Sequence, residues 1–434
     1  MEYYKSFYTE AIELSKSLPE EQSELYKRHF IPMPVEQFAG GIEDADGGEQ
    51  EEKLLKELSR MAFENLNIRF NAIFGSTRQV LDAQGYVKSV DLKDINEEHV
   101  SNKLFKSGED KMVAFIHAHS KRILFIDIPA GKRVDLNLLF ANTEIPLATQ
   151  VLINVGRDAK LNLFEWYTSK TMSTSMLGIL HEVTVGEYGY ADISMVHNED
   201  ENTYVANFSK GAAMANSSLN INYIYNGGMS VRAKNFVSSA GHKAKSSVVE
   251  LVVGSEKQRF DLSTIVANIG QESFADLESK AALMDEAACI LKGFADVGEN
   301  AMGSRSFVNE RGILLDKGCY MSSIPGMSIK NSDVRATHSS ATAPVDEEAL
   351  FYLMSRGASG TVAQKLLIAG FLSSGIARLE NPLAKVAVSS LIQEKINKGR
   401  FGTIPKLDIS NLWAEQSVHN DDVFQGHYKY RDLK

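Results

Sequence analysis

The amino-acid sequence predicts a mainly β protein with helical regions at both ends. Between about Val87 and Val345, short runs alternate apolar and polar residues and are separated by Gly, Asn, Ser and Asp, which is typical of strands. Before and after this stretch, apolar residues recur at helical spacing instead. Because no clear amphipathic helices lie between the strand-like runs, the pattern disfavours a fold of alternating strands and helices.

The N-terminal region, residues 1–86, is predicted to be largely helical. Pro19-Glu20-Glu21 is typical of the start of a second helix. Between Gly40 and Lys53 lie six acidic residues and four glycines, so we expect a mobile loop there. The apolar residues that predict helices before and after these two segments are Tyr4, Phe7, Tyr8, Ala11 and Leu18, and then Leu54, Leu55, Leu58 and Met61.

The central region, residues 87–345, is predicted to consist of strands. Its clearest alternating apolar sets are Ala159, Leu161 and Leu163; Ala191, Ile193 and Met195; Leu219, Ile221 and Tyr223; and Val249, Leu251 and Val253. We also interpret the segment around His117 and His119 as a strand, so that both imidazoles share one face. Two imidazoles can start a metal site, but spacing offers no third ligand, and a solvated strand face is the favoured interpretation.

Strands of this kind can form a sandwich, a barrel or a solenoid. Pairs of small residues inside the runs suit the tight coils of a solenoid, but the spacing is too irregular to show a clean repeat. These pairs are Ser217-Ser218, Ser246-Ser247 and Ala281-Ala282. The pattern of residues therefore leaves the three architectures open.

The C-terminal region, residues 346–434, returns to helical patterns. Asp346 is predicted to cap a helix at Glu347–Ser355, with Gly357 just beyond its end. A second helix is predicted at Val362–Ile376, and a third begins at Asn381-Pro382 and ends near Gly399. The last 20 or so residues, which include His419 and His427, are predicted to form a loose polar tail.

Composition limits the possible functions of this chain of 434 residues. Its formal net charge of −10 disfavours nonspecific binding to nucleic acid. No apolar run approaches the roughly 18 residues of a membrane span, and the N-terminus does not look like a secretory signal, so we expect a cytoplasmic protein that binds no membrane. Two cysteines are too few for a disulfide framework or for a complete iron–sulfur ligand set.

Sequence motifs of common catalytic sites are absent. The chain contains no G-x-x-x-x-G-K-[ST], G-x-G-x-x-G, G-x-S-x-G or H-E-x-x-H. We therefore predict no ATPase, dinucleotide or zinc-protease site and expect that the chain is not an enzyme.

The segment from Lys330 to Gly357 carries the most specific signal. It reads KNSDVRATHSSATAPVDEEALFYLMSRG and resembles the SufB/SufD family of iron–sulfur cluster assembly proteins, in which D-V-x-x-x-H is followed by D-E-x-x-L-F-Y-L-x-S-R-G. The matching residues are Asp333, Val334, His338, Asp346, Glu347, Leu350, Phe351, Tyr352, Leu353, Ser355, Arg356 and Gly357. Where the family often has H-G-A-T, Ser339-Ser340-Ala341 follow the histidine here.

This resemblance implies a fold, partners and a site. It implies a right-handed parallel β-helix between helical ends, and an ATPase subunit, SufC, that is a separate chain. It also implies that His338 matches a SufD histidine where two β-helix subunits meet, and that iron or a cluster is held there transiently rather than permanently. Without the resemblance, a hydrogen-bonded structural histidine would be the favoured interpretation of His338. A neutral imidazole is a competent iron ligand.

The resemblance favours SufD over SufB. SufB proteins carry a functional cysteine nine residues before the position of Cys319 and acidic residues on both sides of the histidine. Here those positions hold Glu310, Thr337 and Ser339. We therefore predict a SufD-like scaffold subunit that works with a SufB-like chain or forms a homodimer through the β-helix.

Cys319 and Glu310 are weaker candidates for iron ligands. A free cysteine that fills the interior of a coil is the favoured alternative for Cys319, and a solvent-facing glutamate in a turn is the alternative for Glu310. Cys289, between alanines and an isoleucine, is predicted to belong to the core.

The resemblance also implies that the C-terminal helices hold SufC. The predicted partner-binding residues are Asp346, Glu347, Leu350, Phe351, Tyr352, Ser355, Arg356 and Gly357. Two other functions remain open: a β-solenoid carbohydrate-active enzyme, and a purely structural β-helix subunit. The enzyme would need paired carboxylates in register, and Asp192, Asp261 and Asp276 show no shared register in the sequence.

Overall fold

The computed structural model describes residues 2–18, 38, 48–66, 69–76, 79–81, 85–91, 94, 104–142 and 146–396. Helices lie at both ends of this part of the chain, and one lies within the central region. They are α1 (Glu2–Ser17), α2 (Gly48–Leu66), α3 (Lys111–His119), α4 (Glu347–Ser355), α5 (Gly360–Arg378) and α6 (Pro382–Ile396), with a 3-10 turn at Ser107–Glu109.

Twenty strands make up the rest of the regular structure. The first ten are β1 (Ala72–Phe74), β2 (Gln79–Leu81), β3 (Val87–Asp91), β4 (Arg122–Ile128), β5 (Arg133–Asn142), β6 (Leu147–Val155), β7 (Lys160–Ser169), β8 (Ser175–Val185), β9 (Tyr190–Asn198) and β10 (Thr203–Ala213). The second ten are β11 (Ser218–Tyr225), β12 (Ser230–Ser239), β13 (Lys245–Gly254), β14 (Arg259–Asn268), β15 (Phe274–Leu283), β16 (Ala288–Val297), β17 (Arg305–Leu314), β18 (Tyr320–Ser323), β19 (Gly326–Ile329) and β20 (Arg335–Pro344).

The strands form two facing parallel sheets that the chain visits in turn. The first sheet has the order β2-β1-β5-β7-β9-β11-β13-β15-β17-β20, and the second has the order β18-β16-β14-β12-β10-β8-β6-β4-β3, with β19 also paired to β16. Only the terminal pairs β1–β2 and β3–β4 are antiparallel among the described strands. The chain therefore winds through about eight coils, which confirms the predicted parallel β-helix between helical ends.

One corner of most coils is closed by a residue with left-handed backbone conformation. These residues are Gly131, Asp158, Tyr188, Asn216, Lys243, Glu272 and Gly303, with φ between 54° and 73°. Each backbone N–H donates to the carbonyl of the next corner, as in Asp158 N–H to Glu187 O at 3.0 Å. Successive corner residues are 27, 30, 28, 27, 29 and 31 positions apart. What recurs once per coil is therefore the backbone conformation of a turn, and not a pattern of residue types in the strands.

In-register stacking produces continuous rows of side chains along the first sheet. Two rows point into the solenoid. The first, here called the leucine row, is Leu136, Leu163, Ile193, Ile221, Val248, Leu277, Val308 and His338. The second, the glutamate row, is Leu138, Glu165, Met195, Tyr223, Glu250, Ser279, Glu310 and Ser340.

The outer face of the first sheet is covered by helices of the C-terminal region. Buried Ile368 and Leu372 of α5 belong to one apolar cluster with Val249, Leu251 and Val253 of β13. The prediction of a strand from these three alternating residues is confirmed, although they face the helices, while Val248 and Val252 face the interior of the solenoid. Burial on both faces explains the nearly continuous apolar run of this strand.

The structure confirms the three C-terminal helices. The Asp346 carboxylate accepts hydrogen bonds from Glu348 N and Ala349 N, and Gly357 follows the helix with φ of 96°. Asn381 Oδ1 likewise accepts from Leu383 N at 2.9 Å. The helix predicted to start at Pro19, Gly399 and the polar tail lie outside the described residues. By length and composition alone α5 could cross a membrane, but in this structure it packs against β13 and β15.

The prediction of a strand at His117 and His119 is wrong. Both lie in α3, whose nine residues are all buried, and Asp110 caps that helix by accepting from Met112 N at 2.7 Å. Two positions apart in a helix are about 200° apart around its axis, so the imidazoles do not share a face. A short helix that is buried all round has no polar stripe, which is why the run resembled a strand.

The predicted loop at Gly40–Lys53 is also partly wrong. Its last six residues belong to α2, which begins at Gly48, and Glu51 is 4% exposed. The strands begin at Ala72, so β1 and β2 lie within residues 1–86.

Candidate functional site

His338 lies on β20, the last strand of the first sheet. It is directly opposite Val308 of β17, so it occupies the final position of the leucine row. Val308 is 2% exposed, whereas His338 and most of the residues of β20 are exposed. In the described residues β20 pairs with β17 alone. The imidazole is therefore presented at an open end of the solenoid, beside an unpaired strand edge.

The other side of this open end is formed by β18 and β19. Met321 and Met327 are only partly buried, although they pack against the interior cluster and continue its rows. Tyr320 and Ile329 are 54% and 45% exposed. Ile329 is thus an apolar side chain that the previous coil would bury, because Val297 directly opposite it is 1% exposed.

Glu310 lies one strand before β20, in the glutamate row of β17. Its side chain is 0% exposed, so the interpretation as a solvent-facing glutamate in a turn is wrong. One carboxylate oxygen accepts from Gly293 N and the other from Ser323 Oγ. Burial, followed by the nearby Glu250, raises its pKa to about 7, although both hydrogen bonds oppose the shift. Both carboxylate oxygens of Glu310 therefore already accept hydrogen bonds from other residues of the chain.

Cys319 precedes β18 at the same end of the solenoid. Its thiol donates to Asp285 O at 3.6 Å, and it packs against the interior cluster as a partly buried residue. Partial burial raises the pKa of the Cys319 thiol, which disfavours the thiolate form that binds metals. Cys289 is 0% exposed within the core, which confirms its predicted place.

The candidate ligands do not converge in the isolated chain. His338 and Glu310 lie on neighbouring strands but in different rows. Among the described residues no group of three or more His, Cys, Asp and Glu side chains could hold a metal ion. A complete metal site at this end would therefore need ligands from outside the described residues.

The predicted partner-binding residues lie on one exposed helix. None of the residues of α4 is buried, and Phe351, Tyr352 and Met354 are 74%, 55% and 47% exposed. The Arg356 guanidinium lies 5.2 Å from the centre of the Tyr352 ring. On the neighbouring α5, Leu366 is 51% exposed. These residues form an apolar surface without a covering element in the described part of the chain.

A polar cluster inside the solenoid was missed by the sequence analysis. Glu165 accepts a hydrogen bond from Tyr167 Oη at 2.8 Å and lies 3.0 Å from His181 Nε2, and all three side chains are 0% exposed. The available signal was a glutamate in the middle of the apolar run of β7. A buried charge of this kind needs partners, so Glu165 predicts polar residues on the facing strand.

The structure disfavours a carbohydrate-active site. Asp192 and Asp276 do share one row on the outer face of the first sheet, which corrects the expectation of no shared register. They are three ladder steps apart, about 14 Å, whereas paired glycosidase carboxylates lie within about 10 Å. Both are also buried, with exposures of 1% and 5%. Asp261 is on the second sheet, where it lies 2.6 Å from Lys292 Nζ.

Comparison with known proteins identifies related sequences. A family model described as "SUF system FeS cluster assembly, SufBD core domain" matches residues 139–371. The iron-sulfur cluster assembly protein SufB of Bacillus subtilis is 22% identical over 384 residues, which cover 79% of this chain and 82% of that protein. SufD of the same organism is 23% identical over 311 residues, which cover 70% and 71%.

A similar protein is found in another organism. An iron-sulfur cluster assembly SufBD family protein of Pyrococcus horikoshii is 25% identical over 287 residues, which cover 64% of this chain and 63% of that protein. The matched family domain extends from β5 into α5 and includes His338 and all of α4. With more than half of its residues inside that domain, the chain belongs to the SufB/SufD family of the Suf system for iron–sulfur cluster assembly.

Proposed function

We propose that this chain is a SufD-like, non-catalytic scaffold subunit of a cytoplasmic iron–sulfur cluster assembly complex. The observation that carries the proposal is the exposed His338 on the unpaired edge strand β20, at an end of the solenoid that the described residues leave open. A SufB-like subunit or a second copy of this chain would cover that end. SufB is the alternative family role, which the missing cysteine at Glu310 disfavours.

The edge of β20 is suited to joining another strand. An unpaired edge presents a row of N–H and C=O groups that a strand from another chain can bind. The side chains along β20 are small and polar for the most part, as in Ser339, Ser340 and Thr342, so they allow close approach. Partly buried Met321 and Met327 at the same end would gain burial when a partner covers them.

His338 is proposed to contribute a nitrogen ligand to iron or to a cluster during assembly. Iron is the cargo here, held transiently at the interface rather than as a resident cofactor. A neutral imidazole binds iron, and thiolates of the partner would supply the ligands that this chain lacks. Cys319 and Glu310 stay predictions as ligands, and both would have to change their present hydrogen bonds.

The exposed apolar surface of α4 and α5 is proposed to bind a SufC-like ATPase. Phe351, Tyr352, Met354 and Leu366 present large apolar side chains to solvent, and exposed patches of this kind mark interaction sites. The same α5 is anchored on the solenoid by Ile368 and Leu372. Movement of the ATPase would therefore be transmitted to a stiff body.

The scaffold role is tested by co-expression with SufB-like and SufC-like partners, followed by anaerobic purification and measurement of iron and acid-labile sulfide. We expect a complex, and we expect His338→Ala to lower iron and sulfide several-fold without dissociating it. His242→Ala is the matched control, because His242 is half exposed at a solenoid corner away from the open end. Unchanged iron in His338→Ala would rule out the ligand role, and absence of any complex would rule out the scaffold role.

The docking surface is tested separately. Leu366→Ser and Phe351→Ser should each weaken co-purification of the SufC-like ATPase while leaving the SufB-like partner bound. Ile269→Ser is the matched control, since Ile269 is 46% exposed on a solenoid turn, close to the 51% of Leu366. Equal loss of the ATPase in all three variants, or in none, would count against this surface.

A further inference from the structure

Two buried aspartates occupy the same outer row of the first sheet but meet opposite charges. Asp192 of β9 is followed along this row by Asn220, Ser247 and then Asp276 of β15. The chain segment that joins α5 to α6 crosses this row. The last residue of α5 places an arginine on Asp276, and the joining segment places a glutamate beside Asp192.

Asp276 is paired with a cation through one of its oxygens, Oδ2, whereas its Oδ1 has no hydrogen-bond partner in the described residues. The Arg378 guanidinium forms an ion pair with Asp276 and lies 3.0 Å from Glu278 Oε2. Arg378 also donates to Ser247 Oγ at 2.6 Å. This end of α5 is thus fixed to the sheet by opposite charges.

Among the described residues, no such cation lies at hydrogen-bonding distance from Asp192. One of its oxygens, Oδ1, accepts from Asn222 Nδ2 at 3.1 Å, and the other, Oδ2, is buried without a hydrogen-bond partner in the described residues. Glu380, two residues after Arg378, accepts a hydrogen bond from Tyr190 Oη and lies 3.4 Å from Asn220 Nδ2. The segment between α5 and α6 therefore places the Glu380 carboxylate close to the buried carboxylate of Asp192.

We propose that residues 379–381, between α5 and α6, form a proton-dependent latch. With a proton on Asp192, Glu380 rests on Tyr190 and Asn220 and the junction stays closed on the sheet. When Asp192 loses that proton, the buried charge and the facing Glu380 carboxylate favour lifting of the junction, because an open junction exposes Asp192 to water. The ion pair between Arg378 and Asp276 holds the end of α5 on the sheet in both states.

The direction of the pH effect follows from the groups around Asp192. The ionisable groups facing it are Lys160 of β7, Tyr190 of β9 and Glu380 of the junction, and β11 contributes the neutral Asn220 and Asn222. Burial, followed by Glu380, raises the pKa of Asp192 to about 7, against the opposing effects of Asn222 and Lys160. An open junction would return that pKa to about 4. The closed form is therefore favoured at acidic pH and weakens as the pH rises from about 4 to 7.

The latch lies at the end of α5 opposite to its large exposed apolar residues. Val362 and Leu366 are in the first half of the helix, whereas Arg378 is its last residue. Opening of the junction would therefore change how firmly the whole helix is anchored.

Hydrogen exchange of the full chain, followed by mass spectrometry, tests the latch. Leu379 N–H donates to Ile376 O and Lys385 N–H donates to Asn381 O, so peptides over residues 376–386 report on opening. After correction for intrinsic rates, we expect opening to increase at least about tenfold between pH 5 and pH 7. Peptides from β13 provide the reference for general loosening of the solenoid.

Three variants decide the outcome. Asp192→Asn should abolish the pH dependence of opening. Glu380→Gln should only reduce it, because burial still raises the pKa of Asp192 in that variant. Asp135→Asn is the control, because Asp135 lies earlier in the same row and hydrogen-bonds to Asn162. The latch is wrong if the wild type shows no pH dependence, or if Glu380→Gln matches the wild type. Glu380 is exposed, so that variant is informative even if Asp192→Asn folds poorly.

Discussion

The seventh and eighth coils of the solenoid continue the same rows of side chains, but those of the seventh coil are buried on the first sheet and those of the eighth are exposed. In the seventh, formed by β16 and β17, Val308 and Glu310 are 2% and 0% exposed. In the eighth, formed by β18, β19 and β20, the residues directly opposite them are His338 and Ser340, and both are exposed. The interior rows therefore continue one coil beyond the point where the described part of the chain buries them.

This difference shows how a solenoid can present a binding surface without a dedicated loop. Each coil is covered by its neighbours, so the last one offers its inward-facing rows to another molecule. Within one row the residue type changes from the buried Val308 to the exposed His338, in agreement with the proposed partner at this end. The N-terminal coils differ again, because α3 lies against β6 and β8 of the second sheet.

The largest contrast is expected between Leu277 and His338, which lie in the same leucine row. Leu277→Ala should lower the free energy of unfolding by about 2–5 kcal/mol, because Leu277 is 1% exposed and its truncation leaves a cavity. His338→Ala should change it by less than about 0.5 kcal/mol. Denaturant unfolding of the isolated chain measures both. A large loss in His338→Ala would mean that the last coil is a structural cap instead.

A second contrast concerns the pH dependence caused by Glu310. Its pKa is raised to about 7 from an ordinary 4.5, so the neutral acid is favoured in the folded chain. Its contribution to stability is complete below about pH 4.5 and is lost as the pH rises to about 7, by up to about 3 kcal/mol. We expect Glu310→Gln to unfold with a smaller dependence on pH between 5 and 8 than the wild type.

Ser340, which follows Glu310 in the same row, supplies the comparison for that experiment. It is exposed and does not ionise, so Ser340→Ala should retain the pH dependence of the wild type. If Glu310→Gln and the wild type respond equally to pH, the carboxylate is charged at neutral pH in the folded chain.

The sequence predicted most of the fold because its patterns are local. Alternation identified the strands around Leu163, Ile193 and Ile221, and capping residues identified α4 and α6. The repeat was missed because it is carried by turn residues of many types, such as Asp158, Tyr188 and Lys243, whose shared property is a backbone angle. Only the resemblance around His338 distinguished a solenoid from a sandwich.

The site was predicted less completely, because burial depends on distant parts of the chain. His338 was found through a family pattern, and the structure shows it to be exposed. Glu310 looked like a turn residue, since nothing in its neighbourhood reveals that Ser323 and Gly293 N–H lie opposite its carboxylate. Likewise, the pairing of Arg378 with Asp276 joins residues about 100 positions apart.

A third contrast uses two glycines with different neighbours. A Cβ at Gly293 would lie 2.6 Å from Glu310 Oε1 and 2.9 Å from both Leu277 Cδ2 and Val308 Cγ1. Gly293→Ala should therefore cost about 1–3 kcal/mol. At Gly312 the nearest atoms belong to the end of Met321, a flexible and partly exposed side chain of the last coil. Gly312→Ala should cost less than about 1 kcal/mol, and equal losses in thermal or denaturant unfolding would show that Met321 is held rigidly.

The smallest effect is expected at Ser339, on the outward row of the last strand. Its Oγ donates to Asn309 Oδ1 at 2.9 Å, but both groups can exchange this bond for water. Ser339→Ala should therefore change the free energy of unfolding by less than about 0.5 kcal/mol, whereas Ser279→Ala, which removes a buried bond of 2.6 Å to Glu250, should cost about 1–3 kcal/mol. A loss above about 1 kcal/mol in Ser339→Ala would show that β20 is braced by its own chain. A negligible loss would mean that β20 adds little to the stability of the isolated solenoid, so changes there should be measured through association with a partner.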